Sequence, residues 1–474
     1  MLFNSLEFFV FFLIVIPLYF LLPHRFRWVM LIIASSIFYM YFKPVYILIL
    51  VFTIIIDYFA GMAIENSRSQ RTKKMLLVVS LVSNIGVLCF FKYFNFLSIN
   101  LSGLLSLSGR EVHLPLLHML LPIGLSFHTF QAMSYNIEIY RGNQKAEKHL
   151  GYFALYVLYF PQLVAGPIER PQNVLHQLRA EHRFDHDRFI QGLQLMLWGL
   201  FKKMVIADRL GVFVDTVYAN PESFHGFQII IAILFFAFQL YCDFSGYSDV
   251  ALGVSRIMGI DLMLNFRRPF LSKTVTEYWR RWHISLSTWF NDYLFTPFVF
   301  ARRNWGIWAT VAGLALTFFI SGIWHGAGWT FIIYGCLHGV ALIYEVLTKK
   351  TRRKWSKKIP GFIYNPLSIL LTFTFAALSW VFFRAFSMHD VFTIYKNMFV
   401  LKSFSFGVPT VTSYNLYLMF ILIFFLLLSE NIYEYFKGVA LRVVHVRYLS
   451  IYVLAFLIFI IGIFEKQTFI YFQF

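Results

Sequence analysis

Ile229-Ile230-Ile231-Ala232-Ile233-Leu234-Phe235-Phe236-Ala237-Phe238 is an unbroken apolar run with no polar residue in any helical register. A helix on the surface of a soluble protein would show a polar side chain every third or fourth position, so this stretch is predicted to lie in a membrane-spanning helix. Runs of the same kind recur at Leu13–Leu22, Val45–Ile56, Leu418–Leu428 and Ile451–Phe464. Composition agrees: 59% of the 474 residues are hydrophobic, 20% aromatic with Phe contributing 58, and 14% charged, where soluble domains carry about 25% charge. The expected fold class is therefore all-α, a polytopic integral membrane protein whose first partner is the lipid bilayer. The first apolar segment opens with Asn4 and Glu7 and has no small-residue cleavage site before Pro23, so it is expected to be a retained helix. Cys89, Cys242 and Cys336 have neither metal-ligand nor redox spacing and are expected to be small buried hydrophobes.

The formal charge of +18 does not point to nucleic acid, because the basic residues gather in short loops instead of on one amphipathic face. They read as topology signals. Placing Arg25/Arg27, Arg68–Lys74, Lys349–Lys358 and Lys437/Arg442/Arg447 in the cytoplasm predicts helices near 5–22, 28–42, 45–64, 75–97 and 117–139, then 362–384, 413–434 and 447–464. Both termini then fall on the extracytoplasmic side of the membrane. Residues 150–218, broken by Pro161, Gly166, Pro167 and Pro171 and then by Lys202, Lys203, Asp208 and Arg209, are predicted to be short re-entrant or tilted helices. Asn265–Phe298 is expected on the cytoplasmic face. No internal repeat or soluble domain is visible, so 1–474 reads as a single membrane domain with N-terminal helices in 1–115, a core in 116–348 and C-terminal helices with an aromatic tail in 349–474.

Polar groups within apolar segments are costly and therefore candidates for function. Trp324-His325-Gly326-Ala327-Gly328-Trp329 sits between the apolar stretches 311–323 and 330–346, which predicts a hairpin with His325 near its tip. A neutral imidazole there can take a proton from a hydroxyl, or can simply bond a neighbouring helix. In Tyr278–Ser287, Arg280 and Arg281 have the chemistry to bind phosphates and His283 to sit at a reacting group, although Trp–Arg mixtures also anchor helices at interfaces. Asp243 and Asp249 follow an apolar helix and are expected to pair within the fold, with the arginines of Tyr278–Ser287 as partners, to orient a histidine or to line a polar tunnel. Gln131, Tyr135 and Glu138 form a polar face expected to border a cavity. Gly-x-Ser-x-Gly, Gly-rich phosphate loop, His-Glu-x-x-His and clustered metal ligands are all lacking, so no metal and no bound cofactor are expected. A transporter or flippase, the reading from another class, also uses broken helices and buried polar residues.

Phe3-Asn4-Ser5, Leu121–Gly142, Pro161–Ile168, Tyr241–Asp249, Asn265–Ser287, Trp324–Trp329 and Ser379–Ala385 together resemble the membrane-bound O-acyltransferase family, in the bacterial branch that contains the alginate O-acetylation membrane protein. The resemblance implies about eleven spans, with re-entrant and interfacial helices, around a transmembrane tunnel. It implies His325 and His283 as catalytic, with Arg280, Arg281, Trp282, Trp324, Asp243, Asp249 and Gln131 binding donor or substrate. It implies acetyl-CoA as acyl donor, O-acetylation of an exported or cell-envelope polysaccharide such as an alginate-like polymer or peptidoglycan, and an extracytoplasmic acetyltransferase as partner. D-alanyl or other acyl transfer from a carrier protein is the alternative within the family. The ending Thr468–Phe474 resembles the terminal motif of the small partner protein in D-alanylation systems, which makes Tyr471 a candidate acyl relay; an aromatic interface anchor would have the same composition.

Overall fold

The computed structural model describes residues 1–107, 114–117, 122–400, 405–435, 444–464 and 469–470. These are helical or irregular, with no strand among them. Among the described residues, seven helices are long and apolar enough to cross a bilayer, at Pro44–Asn66, Gln70–Ser106, Phe227–Met258, Ile307–His325, Trp329–Leu347, Gly361–Arg384 and Ser413–Ile432. Leu6–Leu21 and His445–Ile461 are shorter apolar helices. Packing divides the chain into two compact units: Met1–Gly192 with Ala251–Met263, and Leu193–Val250 with Leu264–Phe474.

In the first unit the helix ends follow local chemistry. Ser5 caps Leu6–Leu21 by accepting the Phe8 N–H, and Ser69 caps Gln70–Ser106 by accepting the Thr72 N–H. The latter helix, expected at 75–97, is 37 residues long because polar residues continue it past both ends of its apolar stretch. The helix expected at 117–139 is Leu125–Arg141, set off by Gly124 at φ 76° and ended by Gly142 at φ 79°, both in the left-handed region that glycine enters at low cost.

Leu125–Arg141 corrects one expectation. It is buried on almost every side, and its polar row meets protein, not a cavity. Gln131 Nε2 donates to the Tyr156 carbonyl at 2.5 Å, the Tyr135 hydroxyl accepts the Glu147 N–H at 2.8 Å, and Glu138 accepts from Asn143 at 2.9 Å and Gln172 at 2.8 Å. Asp57, for which the sequence raised no expectation, ties its own helix, Pro44–Asn66, to Gln70–Ser106 and Leu125–Arg141. Its carboxylate accepts from Ser80 Oγ at 2.6 Å, Asn136 Nδ2 at 2.8 Å and Asn84 Nδ2 at 2.9 Å. Such donors offset the large cost of burying a carboxylate.

The second unit is built on an aromatic core that includes Phe235, Phe236, Trp282, Tyr334 and Trp380. The predicted hairpin is present as Ile307–His325 and Trp329–Leu347. Its two helices meet through Gly322 and Gly335: a Cβ on Gly322 would lie 2.5 Å from the Phe331 carbonyl, and one on Gly335 would lie 2.8 Å from the Gly322 Cα. We expect Gly335→Ala to push the helices apart and destabilise the protein by about 1–3 kcal/mol, read as a lower melting temperature in detergent; an unchanged melting temperature contradicts this packing. Of the three cysteines expected to be buried, only Cys242 is; Cys89 and Cys336 are on exposed helix faces, because an apolar side chain in a bilayer has no need of the protein interior.

Candidate active site

His325 is the last residue of its helix, where Gly326 turns the chain to an extended conformation. Its ring is 4% exposed and packs against Trp324, Tyr334 and Phe383 at centroid distances of 5.0, 5.9 and 5.4 Å. Phe383 comes from the Ser379–Ala385 block of the Gly361–Arg384 helix, so three helix segments enclose the imidazole.

His283 approaches the same tryptophan from a different element. It joins the short helices Val275–Arg281 and Ile284–Phe290, with φ 44° and ψ 54°; Arg268 is the other non-glycine residue at positive φ among those described. A histidine held in the left-handed region is strained, and such strain persists where surrounding bonds fix it. Asn265 supplies those bonds. Its carbonyl accepts the Ile284 N–H at 2.9 Å, and its Oδ1 accepts Ser285 Oγ at 2.9 Å and lies 3.0 Å from His283 Nδ1. An oxygen that accepts leaves Nδ1 to carry the proton, so Nε2 of the neutral ring is the basic nitrogen. Burial favours that neutral ring, pushing the imidazole pKa down to about 3. The His283 and Trp324 rings are 6.1 Å apart. Both predicted histidines therefore touch one indole.

The other predicted residues separate by role. Arg280 is exposed, whereas Arg281 is paired with Glu277 at 2.8 Å. Trp282 is fully buried between Tyr278, Phe266 and Trp380. Gln131 belongs to the first unit and bonds there as described. Asp243 and Asp249 do pair within the fold, but with lysines in place of the expected arginines, since Arg281 is taken by Glu277: Lys203 Nζ lies 2.5 Å from Asp243 and 2.7 Å from Asp208, and Lys202 Nζ lies 2.7 Å from Asp249 and 2.8 Å from Ser245 Oγ. A π-helical turn over Phe201–Ala207 lets both consecutive lysines point inward.

The end of the chain reaches the same network. Asp243 Oδ2 accepts the Ile470 N–H at 2.8 Å, and the Phe469 ring packs on Tyr247 at 4.9 Å and Phe244 at 5.8 Å. Phe244 in turn lies 4.7 Å from His283. Tyr471 lies outside the described residues.

Sequence reasoning missed Asn265 as the holder of His283, and it missed His338. The latter accepts the Trp279 N–H on Nδ1 at 3.1 Å and bonds Ser379 through Nε2 at 2.9 Å, fixing the Trp279 helix to the hairpin and to Gly361–Arg384. A histidine within an apolar span was signal enough for it.

Two buried histidines on a common tryptophan, one of them at the break between two spanning helices, make up the candidate site. The model of the membrane-bound O-acyltransferase family matches residues 69–384, and the chain belongs to that family. It is 37% identical over 402 residues to the probable alginate O-acetylase AlgI of Pseudomonas aeruginosa, covering 84% of this chain and 75% of that protein. It is 34% identical over 401 residues to the peptidoglycan O-acetyltransferase of Helicobacter pylori, covering 79% and 74%. The teichoic acid D-alanyltransferase of Bacillus subtilis is 30% identical over 294 residues, covering 60% and 73%. The chain is accordingly an O-acyltransferase.

Proposed function

We propose that this O-acyltransferase moves an acetyl group from acetyl-CoA on the cytoplasmic side of a bacterial inner membrane toward an exported or cell-envelope polysaccharide. The observation that carries the reading is the shared contact of His325 and His283 with Trp324. His325 is the general base. It takes the proton of an acceptor hydroxyl as the oxygen attacks the thioester carbonyl carbon; the C–S bond then breaks and the leaving thiolate receives that proton. His283 sits on the donor side and offers the lone pair of Nε2 as a hydrogen-bond acceptor that positions the donor, taking up no proton itself. Exposed Arg280 meets donor phosphates, while Arg281, Asp243 and Asp249 shape the path through their ion pairs and Trp282 supports its wall. About eleven spans around a tunnel, with both termini extracytoplasmic, complete the reading; the positive-inside distribution supports it.

Acetyl transfer to a polysaccharide is favoured over D-alanyl transfer because the alginate and peptidoglycan O-acetylating relatives match more of the chain. Transport is disfavoured by the lack of repeat symmetry in the sequence. Tyr471 is proposed as the acyl relay to an extracytoplasmic acetyltransferase: in sequence it directly follows Ile470, whose N–H is held by Asp243.

Radiolabelled acetyl-CoA given to the purified protein, without any downstream transferase, tests both parts. The expected result is His325-dependent release of coenzyme A and an acetyl adduct on Tyr471 by mass spectrometry. Turnover without an adduct reduces the tail to an anchor. Absence of His325-dependent turnover removes acetyl-CoA as the donor.

A further inference from the structure

Between the spanning helices Trp329–Leu347 and Gly361–Arg384 the chain forms a separate helix, Lys349–Lys358, with no buried residue. Lys and Arg are good helix formers and Lys357 and Lys358 suit its last turn, but its start and its charge spacing work against it. Its first turn holds Lys349, Lys350 and Arg352 and no acidic residue, against the sign of the helix dipole. It has no side-chain cap. Lys349–Arg353, Lys350–Lys354, Arg353–Lys357 and Lys354–Lys358 are like charges four residues apart, each pair repulsive. Only Arg352 meets a carboxylate, Glu345 at 3.2 Å, among the described residues, and no acidic residue occurs between Glu345 and Asp390.

The compensation has to come from outside the fold. At 100° per residue the six remaining cations cover one half of the helix, while Trp355 and Ile359, four apart and both exposed, lie on the other side. A spanning helix on either side confines this helix to the membrane surface, where an amphipathic basic helix places aromatic and aliphatic side chains at the acyl boundary and cations among phosphates.

We propose that Lys349–Lys358 is a seat for anionic phospholipid headgroups, and that their phosphates hold the helix formed. The full-length protein, purified in mild detergent, is titrated with phosphatidylglycerol and with phosphatidylcholine and followed by native mass spectrometry. The comparison is with a variant carrying Lys350→Gln, Arg353→Gln, Lys354→Gln and Lys357→Gln. Phosphatidylglycerol should bind the unaltered protein in preference to phosphatidylcholine, more weakly at high salt. In the variant its affinity should fall about tenfold or more, given that each cation near an anionic surface contributes several-fold, with phosphatidylcholine unaffected. A second variant, Lys350→Arg with Lys354→Arg and Lys357→Arg, should retain binding, which separates charge from folding. Equal phosphatidylglycerol retention in the glutamine variant overturns the proposal. So does a glutamine variant that keeps the lipid but loses coenzyme A in phosphatidylcholine nanodiscs, which assigns the patch to the donor.

Discussion

His325→Ala is expected to lower acyl transfer by at least about a hundredfold, the lower end of what a positioned general base contributes, with donor affinity little changed. The imidazole is enclosed by Trp324, Tyr334 and Phe383, and the proton-taking role proposed for it is called on only as the hydroxyl oxygen attacks. Loss of an interaction made in the transition state alone lowers kcat and kcat/KM together and leaves donor binding intact. Alanine at a buried ring position also opens a cavity, so His325→Gln, closer in volume, is the companion variant: it should be equally inactive and melt nearer to the unaltered protein. His283→Ala should behave differently, because its ring is also bonded to Asn265 at a strained junction; both donor affinity and stability should drop. Purified protein in nanodiscs, assayed for release of free thiol from the acyl donor, reports all three. A His325→Gln protein within about threefold of the normal rate would exclude this histidine as the base.

His325 stands out in the sequence as a candidate because its cost is visible there: an ionisable ring flanked by glycines between two apolar stretches has few explanations. The hairpin that presents it was legible for the same reason, to within a few residues at each end. His283 could be proposed as a site residue, but the asparagine that orients it lies 18 residues away across an irregular segment, and no spacing rule joins them. The polar row of Leu125–Arg141 was misread because a helix buried among polar partners and a helix lining a cavity show the same periodicity. What distinguishes them is whether Tyr156, Glu147 and Gln172 arrive, which is a tertiary fact. The partners of Asp243 and Asp249 were hidden in another way. Lys202 and Lys203 stood in the sequence as breaks in an apolar stretch, and consecutive residues on a regular helix point about 100° apart; the π-helical turn is what aims both inward.

The second large effect follows from that turn. Lys203→Met should destabilise the protein by about 3–5 kcal/mol, the usual consequence of removing one partner from a buried ion pair. Lys203 is the shared cation of two carboxylates, Asp208 and Asp243, whose side chains are 2% and 1% exposed. Without it two negative charges remain close together and away from water, so at least one must take up a proton or the segment must open. Lys202→Met removes a similar pair, but Asp249 is 21% exposed and Lys202 is also bonded to Ser245; solvent can screen the orphaned charge, and the cost should be smaller. Adding Asp243→Asn to Lys203→Met should recover part of the loss, since it removes one of the unpaired charges and leaves a carbonyl able to accept the Ile470 N–H. Melting temperatures of the single and double variants in one detergent give the comparison, and carboxypeptidase digestion of the same samples shows whether the chain end has left its seat. Equal melting of Lys203→Met and Lys202→Met, or a double variant less stable than Lys203→Met alone, would mean that the carboxylates are neutral in the folded protein and that the lysine is held there for its length instead of its charge.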